Sequence, residues 1–560
     1  MFWRSKDILG RPQNSIKRSL YKSMGFSDED LSKPIIAVAN SYNNICTGHF
    51  GLNAIAEKVK EGIKGAGGTP VEFGTIAACD GIAEASKGMR YILPTREIIA
   101  ASIELMVEAH HLDGVVLLGS CDKIVPGMLM AAARLNIPSI LVNSGPMLPG
   151  VVEKYNPYGG NEIDGSALVA YGEKLKEGKI TEKEFIELEN NAQPTHGSCS
   201  MLGTANTMCC IAEAIGLSLP GSAMIPAVNS KRLQIAQKSG GQIMELIRKS
   251  ITSRKIINEQ SIRNAIILNS AIGGSTNSVL HLLAIARDAG VDLSLDEFSK
   301  ISQSVPYIAK MIPHGRYSVI EFYKDGGVSA VMSQLEDLLN LDALTVSGKK
   351  LLENIKNASI NTGKVITSSD KPYRIGGGIK ALKGNIAPDG AITRPAAIDP
   401  SQMYFKGKAR VFNSEDDANR AIEAQKIKAG NVVVIKYEGP KGGPGMPEMW
   451  KTMKLMNGIG LSRGVALITD GRFSGSNNGC FVGHISPEAI EGGPFSVIED
   501  GDEIIIDIEN GKLQANLTGE QIASRLKRWK APKPKITGGY LGFYSKVVSS
   551  ASEGAVLGKH

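Results

Sequence analysis

The chain has 560 residues, 42% of them hydrophobic and 21% charged, with a mean hydropathy of −0.05; this is the make-up of a soluble globular protein long enough for more than one domain. Its net charge of +7 is dilute and aromatic residues are only 5%, so the Lys-rich "KRWKAPKPK" (527–535) reads as solvated surface and no nucleic-acid partner is expected. No apolar run approaches the ~18 residues of a membrane span, and seven scattered cysteines (46, 79, 121, 199, 209, 210, 480) suit a reducing cytoplasm better than a secreted disulfide framework.

The basic N-terminus, "MFWRSKDILGRPQNSIKRSLY", lacks the apolar core of a signal peptide and reads as a structural arm. Strand-like and helix-like segments then alternate. "PIIAVANS" (34–41), "VEFGTIAAC" (71–79), "GVVLLGS" (114–120) and "PSILVNS" (138–144) predict strands. "HFGLNAIAEKVKEGIKGAG" (49–67), "PTREIIAASIELMVEAHH" (94–111, opened by Pro94) and "GMLMAAARLN" (127–136) predict helices. Such alternation implies a mostly parallel sheet covered by helices, with ligands bound beyond the carboxyl ends of the strands.

Reactive side chains fall at those ends: Cys46 after the first strand, Cys79 and Asp80 after the second, and Cys121, Asp122 and Lys123 after the third. A cysteine that only packs belongs inside a strand, not after it. Cys199, in "PTHGSCSMLGTANTM" (194–208), is placed at the start of a helix, where a thiolate is stabilised. Cys209 and Cys210 fall inside that helix as packing residues. "AIGGSTNSVLHLLAIA" (271–286) offers either an anion-binding turn or an ordinary capped helix start.

Near residue 370 the composition turns rich in Gly, Pro and Ser ("SSDKPYRIGGGIKALKGNIAPDGA"), like a boundary. It divides an α/β domain (1–370) from a smaller, β-barrel-like domain (371–560) built on "KARVFN", "NVVVIKY", "GVALITD", "DEIIIDI" and "GKLQANL". Two loops of the second domain stand out. "GPKGGPGMPEM" carries Glu448 in a backbone able to approach a ligand closely, and "ITDGRFSGSNNG" carries Ser474 between glycines just after a strand.

Three separated thiolates suit an iron–sulfur cluster with one iron left open. Zinc is the competing metal, although its structural sites usually show paired C-x-x-C ligands, which are absent here. Cys79 is a further candidate, and as a fourth ligand it would close the site. Asp80, Asp122 and Glu448 are hard oxygen donors suited to Mg²⁺. Beside a dication Lys123 must be neutralised, either by Asp122 or by carbamylation.

"CDKIVPG" (121–127) and "ALITDGRFSG" (466–475) resemble the two signature motifs of the dihydroxy-acid and phosphogluconate dehydratase family. The resemblance runs nearly end to end through "CDGIAEASKGMRYILPTREIIAASIE", "NSGPM", "AIGGSTNSVLHLLAIA", "GGPGMPEM", "GHISPEA" and "YSKVVSSASEGAVL". It implies a hydro-lyase in which Cys46, Cys121 and Cys199 hold a [2Fe–2S] cluster, with [4Fe–4S] as the alternative. Asp80, Asp122, Glu448 and a carbamylated Lys123 would surround Mg²⁺, and Ser474 would be the catalytic base. It further implies a homodimer or dimer of dimers acting on a small branched dihydroxy acid in valine and isoleucine synthesis. One departure bears on substrate: Gly203 in "SMLGTANTM" is similar to the sugar-acid dehydratases of the family. An iron–sulfur electron carrier or sensor is the alternative of a different class, and such a protein has no use for Asp80, Asp122, Glu448 and Ser474.

Overall fold

The computed structural model describes residues 3–10, 12–154, 156–476 and 478–558. Four apolar runs form its first sheet: β1 (Ile35–Asn40), β2 (Thr69–Gly74), β3 (Gly114–Leu118) and β4 (Ser139–Val142). All are parallel, in the order β2-β1-β3-β4. The central strands β1 and β3 are buried throughout, as parallel strands covered on both faces must be. From β1 the chain goes to one side for β2, then returns to the other side for β3. The strand order therefore reverses between β1 and β3, which opens a crevice beyond their carboxyl ends.

The helix Leu52–Gly65 turns Leu52, Ile55, Ala56, Val59 and Ile63 into the core, the stripe expected of an amphipathic helix. In the helix Thr204–Ile215 every residue is buried. The helix expected to open at Pro94 begins earlier, as Met89–Ala109, and carries Pro94 inside it. Proline lacks the N–H that would bond the carbonyl four residues back, here that of Arg90. That carbonyl presses instead on the barrel: a Cβ added to Gly445 would lie 1.8 Å from it. The glycine-rich loop thus makes its close approach to a helix of the first sheet's layer.

After a small hairpin, β5 (Gly150–Val151) with β6 (Glu162–Ile163), and a run of helices, eight strands close a barrel. They are β7 (Lys380–Gly384), β8 (Ala387–Thr393), β9 (Tyr404–Phe412), β10 (Asn431–Ile435), β11 (Ala466–Thr469), β12 (Phe481–Ser486), β13 (Glu503–Asp507) and β14 (Lys512–Ala515). Their order is β10-β11-β12-β8-β7-β14-β13-β9, with β9 pairing back to β10. Alternation along the strands fills the interior: Val432, Val434, Ala466 and Ile468 point in, while Val433, Ile435 and Leu467 join the helices Glu415–Glu423 and Trp450–Gly458 outside.

Buried arginines lock the barrel over the strand ends of the first sheet. Arg394 donates to the carbonyls of Gly273 (2.9 Å) and Gly475 (2.6 Å). Arg96 donates to those of Gly554 and Ala555, both at 2.8 Å. The chain's last helix, Gly539–Val547, returns to pack Tyr544 with Leu93, Leu280 and Met446.

Candidate active site

Cys46 and Cys121 leave the two strands that flank the crevice, and their sulfurs lie 3.4 Å apart. His49 braces their loops. Its Nδ1 lies 2.8 Å from Ser41 Oγ, and its Nε2 accepts the Cys121 N–H at 3.1 Å. Because Ser41 Oγ donates to the Leu118 carbonyl at 2.5 Å, Nδ1 carries the ring proton. Burial keeps the ring neutral, with its pKa pushed down to about 4. Both nitrogens are engaged with protein groups, so His49 is a brace although it stands within ligand distance of the two thiols. Gly48 permits the closeness, since a Cβ there would meet Cys121 Sγ at 2.4 Å.

Cys199 lies before its helix, not at its start. The helix begins at Thr204, and Asn206 in its first turn donates back to the carbonyls of Cys199 (2.5 Å) and Met201 (2.7 Å). Cys79, Cys121 and Cys199 line one cavity of about 450 Å³, with Cys46 sealed behind them. The Cys121 hydrogen bond raises the Cys46 thiol, and burial raises that of Cys199. A coordinated cation is what would ionise them. Cys209 and Cys210 are buried within the helix and Cys480 within the barrel core.

Asp80, Asp122 and Glu448 bring carboxylate oxygens within 4.8 Å of one another. Lys123, fully buried, stands among them. Its Nζ is 2.6 Å from Asp80, 3.7 Å from Asp122 and 3.8 Å from Glu448, so its close partner is Asp80 and not the adjacent Asp122. Glu448 Oε1 accepts from Arg472 and from Asn277, both at 2.8 Å. The anion that the GGSTN turn faces is therefore the barrel's own carboxylate, and Ser275 pairs with Thr204 at 2.8 Å. Burial raises the pKa values of Asp122 and Glu448 above the ordinary carboxyl range, making both weaker acids, and Asp80 adds to the shift of Asp122. Asp80 Oδ1 is buried without a hydrogen-bond partner. Crowded hard donors and an orphaned oxygen fit a divalent cation.

Ser474 sits in the loop after β11. Phe473 beside it is buried and stacks on Phe481, with ring centroids 5.5 Å apart, which accounts for an aromatic residue in a glycine-rich turn. The Ser474 hydroxyl donates to Glu84 Oε1 at 3.0 Å. Burial, with Glu448 adding to it, pushes the Glu84 acid up to about 9. Glu84 and His49 escape sequence reasoning. The signal for Glu84 is its place one helical turn after Asp80; the signal for His49 is weaker, since a lone histidine is more often a core residue. Ser474, Asp80, Asp122, Cys121 and Cys199 all line the cavity, while Lys123 and Glu448 stand behind Asp80 and Asp122.

A cavity at a switch point, lined by thiols and carboxylates and met by a barrel loop, has the donor set of a metal-dependent enzyme. The profile of the dihydroxy-acid/6-phosphogluconate dehydratase N-terminal region matches residues 33–354, and that of the C-terminal region matches residues 364–555. The chain belongs to this family and is a hydro-lyase. It is 52% identical over 542 residues to a dihydroxy-acid dehydratase of Caldanaerobacter subterraneus subsp. tengcongensis, covering 96% of each chain. It is 51% identical to that of Acetivibrio thermocellus, covering 96% of this chain and 97% of the relative. The dihydroxy-acid dehydratase of Pyrococcus furiosus is 48% identical over the same shares.

Proposed function

We propose that the chain dehydrates 2,3-dihydroxy-3-methylbutanoate and 2,3-dihydroxy-3-methylpentanoate to their 2-oxo acids, a step toward valine and isoleucine, in the cytoplasm. The observation that carries the reading is the convergence of thiols, carboxylates and the Ser474 hydroxyl on one cavity. Full-length similarity to relatives named for dihydroxy-acid dehydration supports the substrate. Cys46, Cys121 and Cys199 would hold a [2Fe–2S] cluster. Two thiolates on one tetrahedral metal, with bonds of ~2.3 Å, lie ~3.8 Å apart. The 3.4 Å Cys46–Cys121 spacing favours such a pair over the separate corners of a [4Fe–4S] cluster. Asp80, Asp122, Glu448 and a carbamylated Lys123 would hold Mg²⁺.

When bound, the two groups supply Lewis acidity, which acidifies the C2 proton and polarises the departing 3-hydroxyl. Ser474, deprotonated, takes the C2 proton. At rest its hydroxyl is pinned by Glu84. Loss of hydroxide from C3, joined by a proton as water, leaves an enol that tautomerises to the 2-oxo acid. Arg472 and Asn277 hold Glu448 in place through this sequence. For assembly we propose a homodimer or dimer of dimers. The helix Ser15–Ser23 and its end expose Ile16, Leu20 and Met24 at 78%, 61% and 65%, an i, i+4, i+8 apolar stripe of the kind a second copy covers.

A sugar-acid dehydratase is the second reading. Glu84, Asp164, Ser166 and Gln193 make one wall of the cavity polar. A Cβ at Gly203 would meet only the Met201 methyl, at 3.1 Å, so glycine leaves room there. The deciding experiment compares kcat/KM for 2,3-dihydroxy-3-methylbutanoate and gluconate on anaerobic, Mg²⁺-loaded enzyme. Preference for the branched acid supports the first reading, and preference for gluconate replaces it with the second.

A further inference from the structure

The active-site cavity is lined by four carboxyl groups, those of Asp80, Glu84, Asp122 and Asp164, and by no Lys, Arg or His among the described residues. Mg²⁺ held as proposed above answers Asp80 and Asp122, whereas Glu84 and Asp164 lie outside that ligand set. The substrates of both readings are carboxylate anions, which such a wall repels. A second cavity, of about 620 Å³, adjoins the first and shares Val169 and Trp450 with it. Lysines 176, 451 and 454 line this second cavity. Lys176 pairs with Glu173 at 2.7 Å, and Lys451 with Glu423 at 3.6 Å. Lys454 has neither an ion pair nor a hydrogen bond among the described residues, and its Nζ stands 5.7 Å from the centre of the Trp450 ring. The Trp450 indole N–H is buried and equally without a partner. One indole therefore separates an unpaired ammonium from the acidic cavity. Burial draws the Lys454 pKa down, while Asp164 and then Glu84 hold it up, as expected of an ammonium that faces that wall.

We propose that Lys454 is a charge-selecting residue of the active site, which favours an anionic substrate by offsetting Glu84 and Asp164 from behind Trp450. The proposal rests on the dehydratase reading above only for the identity of that anion, a small hydroxylated carboxylate. Because Trp450 stands between the ammonium and the cavity, Lys454 acts through space and touches no reacting atom. Its effect therefore falls on affinity for the anion and leaves the chemical step alone. Charge is what it supplies, so arginine serves in its place and an uncharged side chain of similar length does not.

The test uses anaerobic, metal-loaded full-length protein and the unreactive analogue 2-hydroxy-3-methylbutanoate, which keeps the carboxylate and lacks the departing 3-hydroxyl. Its Kd is measured by calorimetry for the parent, Lys454→Met, Lys454→Gln and Lys454→Arg. Lys451→Met, which removes an exposed lysine from the same cavity, is the control. The methionine and glutamine variants should bind the analogue roughly tenfold more weakly, while Lys454→Arg and Lys451→Met stay near the parent. In turnover the same two variants should raise KM with kcat little changed. A parental Kd in Lys454→Met and Lys454→Gln overturns the proposal. So does a Lys454→Arg variant as weak as Lys454→Met, which would make the role one of shape, and so does a parent that fails to bind the analogue. Should Lys454→Met fail to fold, Lys454→Gln decides. If the Kd pattern holds but the parent dehydrates neither 2,3-dihydroxy-3-methylbutanoate nor gluconate, the substrate reading falls and charge selection stands.

Discussion

Ser474 and Lys123 are the two residues whose chemistry must differ most from that of their free side chains. A serine hydroxyl is too weak an acid to serve as a base unaided, and a nearby dication is the available activator. General-base catalysis contributes roughly 10²–10⁴-fold, so Ser474→Ala should lower kcat by about that factor with KM little changed. Steady-state kinetics beside the visible spectrum check this. Parental turnover would place the base elsewhere, and would suit an electron carrier that never needed Ser474. For Lys123 the two neutralised forms give opposite signs. An ammonium at the centre of Asp80, Asp122 and Glu448 repels Mg²⁺, whereas a carbamate, formed by adding carbon dioxide to the amine with loss of a proton, binds it. Two unit charges 4 Å apart interact by about 4 kcal/mol at an effective dielectric near 20. Lys123→Met should therefore weaken Mg²⁺ binding if the carbamate is the working form. Tighter binding in calorimetry would identify the ammonium instead. Both residues are legible in the sequence because each stands beside other chemistry: Lys123 follows Cys121 and Asp122, and Ser474 lies between glycines. Glu84 is not, because what makes it matter is a barrel loop 390 positions away.

At the scale of elements, periodicity gave away the α/β layer but not its ends. Strand β2 stops at Gly74, and Cys79 is reached through five further residues, because the apolar run "TIAAC" leaves the sheet once β1 ends at Asn40. Helix starts were misplaced at Pro94 and Cys199 for one reason: tertiary contacts, Arg90 against Gly445 and Asn206 against the Cys199 carbonyl, outweigh local start signals. Three barrel strands are hidden by glycine. β7 falls within the segment that reads as a boundary and β8 begins in it, and β12 carries Gly483. Contact between loop and layer is equally invisible in one dimension. A Cβ on Gly475 would lie 2.8 Å from Gly203 Cα and 3.2 Å from Thr204 N, and backbone cannot yield as a flexible side chain can. Gly475→Ala should lift the Ser474 loop off the cavity, lowering kcat while the far-UV spectrum and the iron content stay parental. Gly172→Ala, in the helix Leu168–Lys176 with nothing within 4 Å of its Cβ position, is the matched control. Equal activity of the two variants would show that the loop tolerates displacement.

Across the whole molecule, the two halves meet as a strand-end site and its lid, and the frame behind the lid is a set of buried acids. Glu488, at the end of β12, accepts the N–H groups of Lys441 (2.9 Å) and Gly442 (2.8 Å), which begin the loop leading to Glu448. Asp470, four residues before Ser474, accepts those of Tyr437 (3.0 Å), Glu438 (2.8 Å) and Ala489 (2.9 Å). Sequence shows these acids at strand ends but not that the barrel buries them, since burial there depends on closure by strands far apart in the chain. Burial, followed by the nearness of Asp470, pushes the Glu488 acid up to about 8 from an ordinary 4.5. Between those two values the folded form keeps a proton that the unfolded chain has released. The folded state therefore loses stability as pH rises through the window, and the full contribution is present only below the unfolded value. Glutamine keeps an acceptor oxygen for one of the two N–H groups, which bond to different oxygens of Glu488, and has no proton to lose; the lost bond costs the same at every pH. The melting temperature of Glu488→Gln relative to the parent should therefore be higher at pH 8 than at pH 5, measured on protein freed of metal so that cation binding adds no pH dependence of its own. A difference that does not change with pH would mean that Glu488 is ionised inside the fold, and that the frame behind the Glu448 and Ser474 loops is held by a carboxylate rather than by a protonated acid.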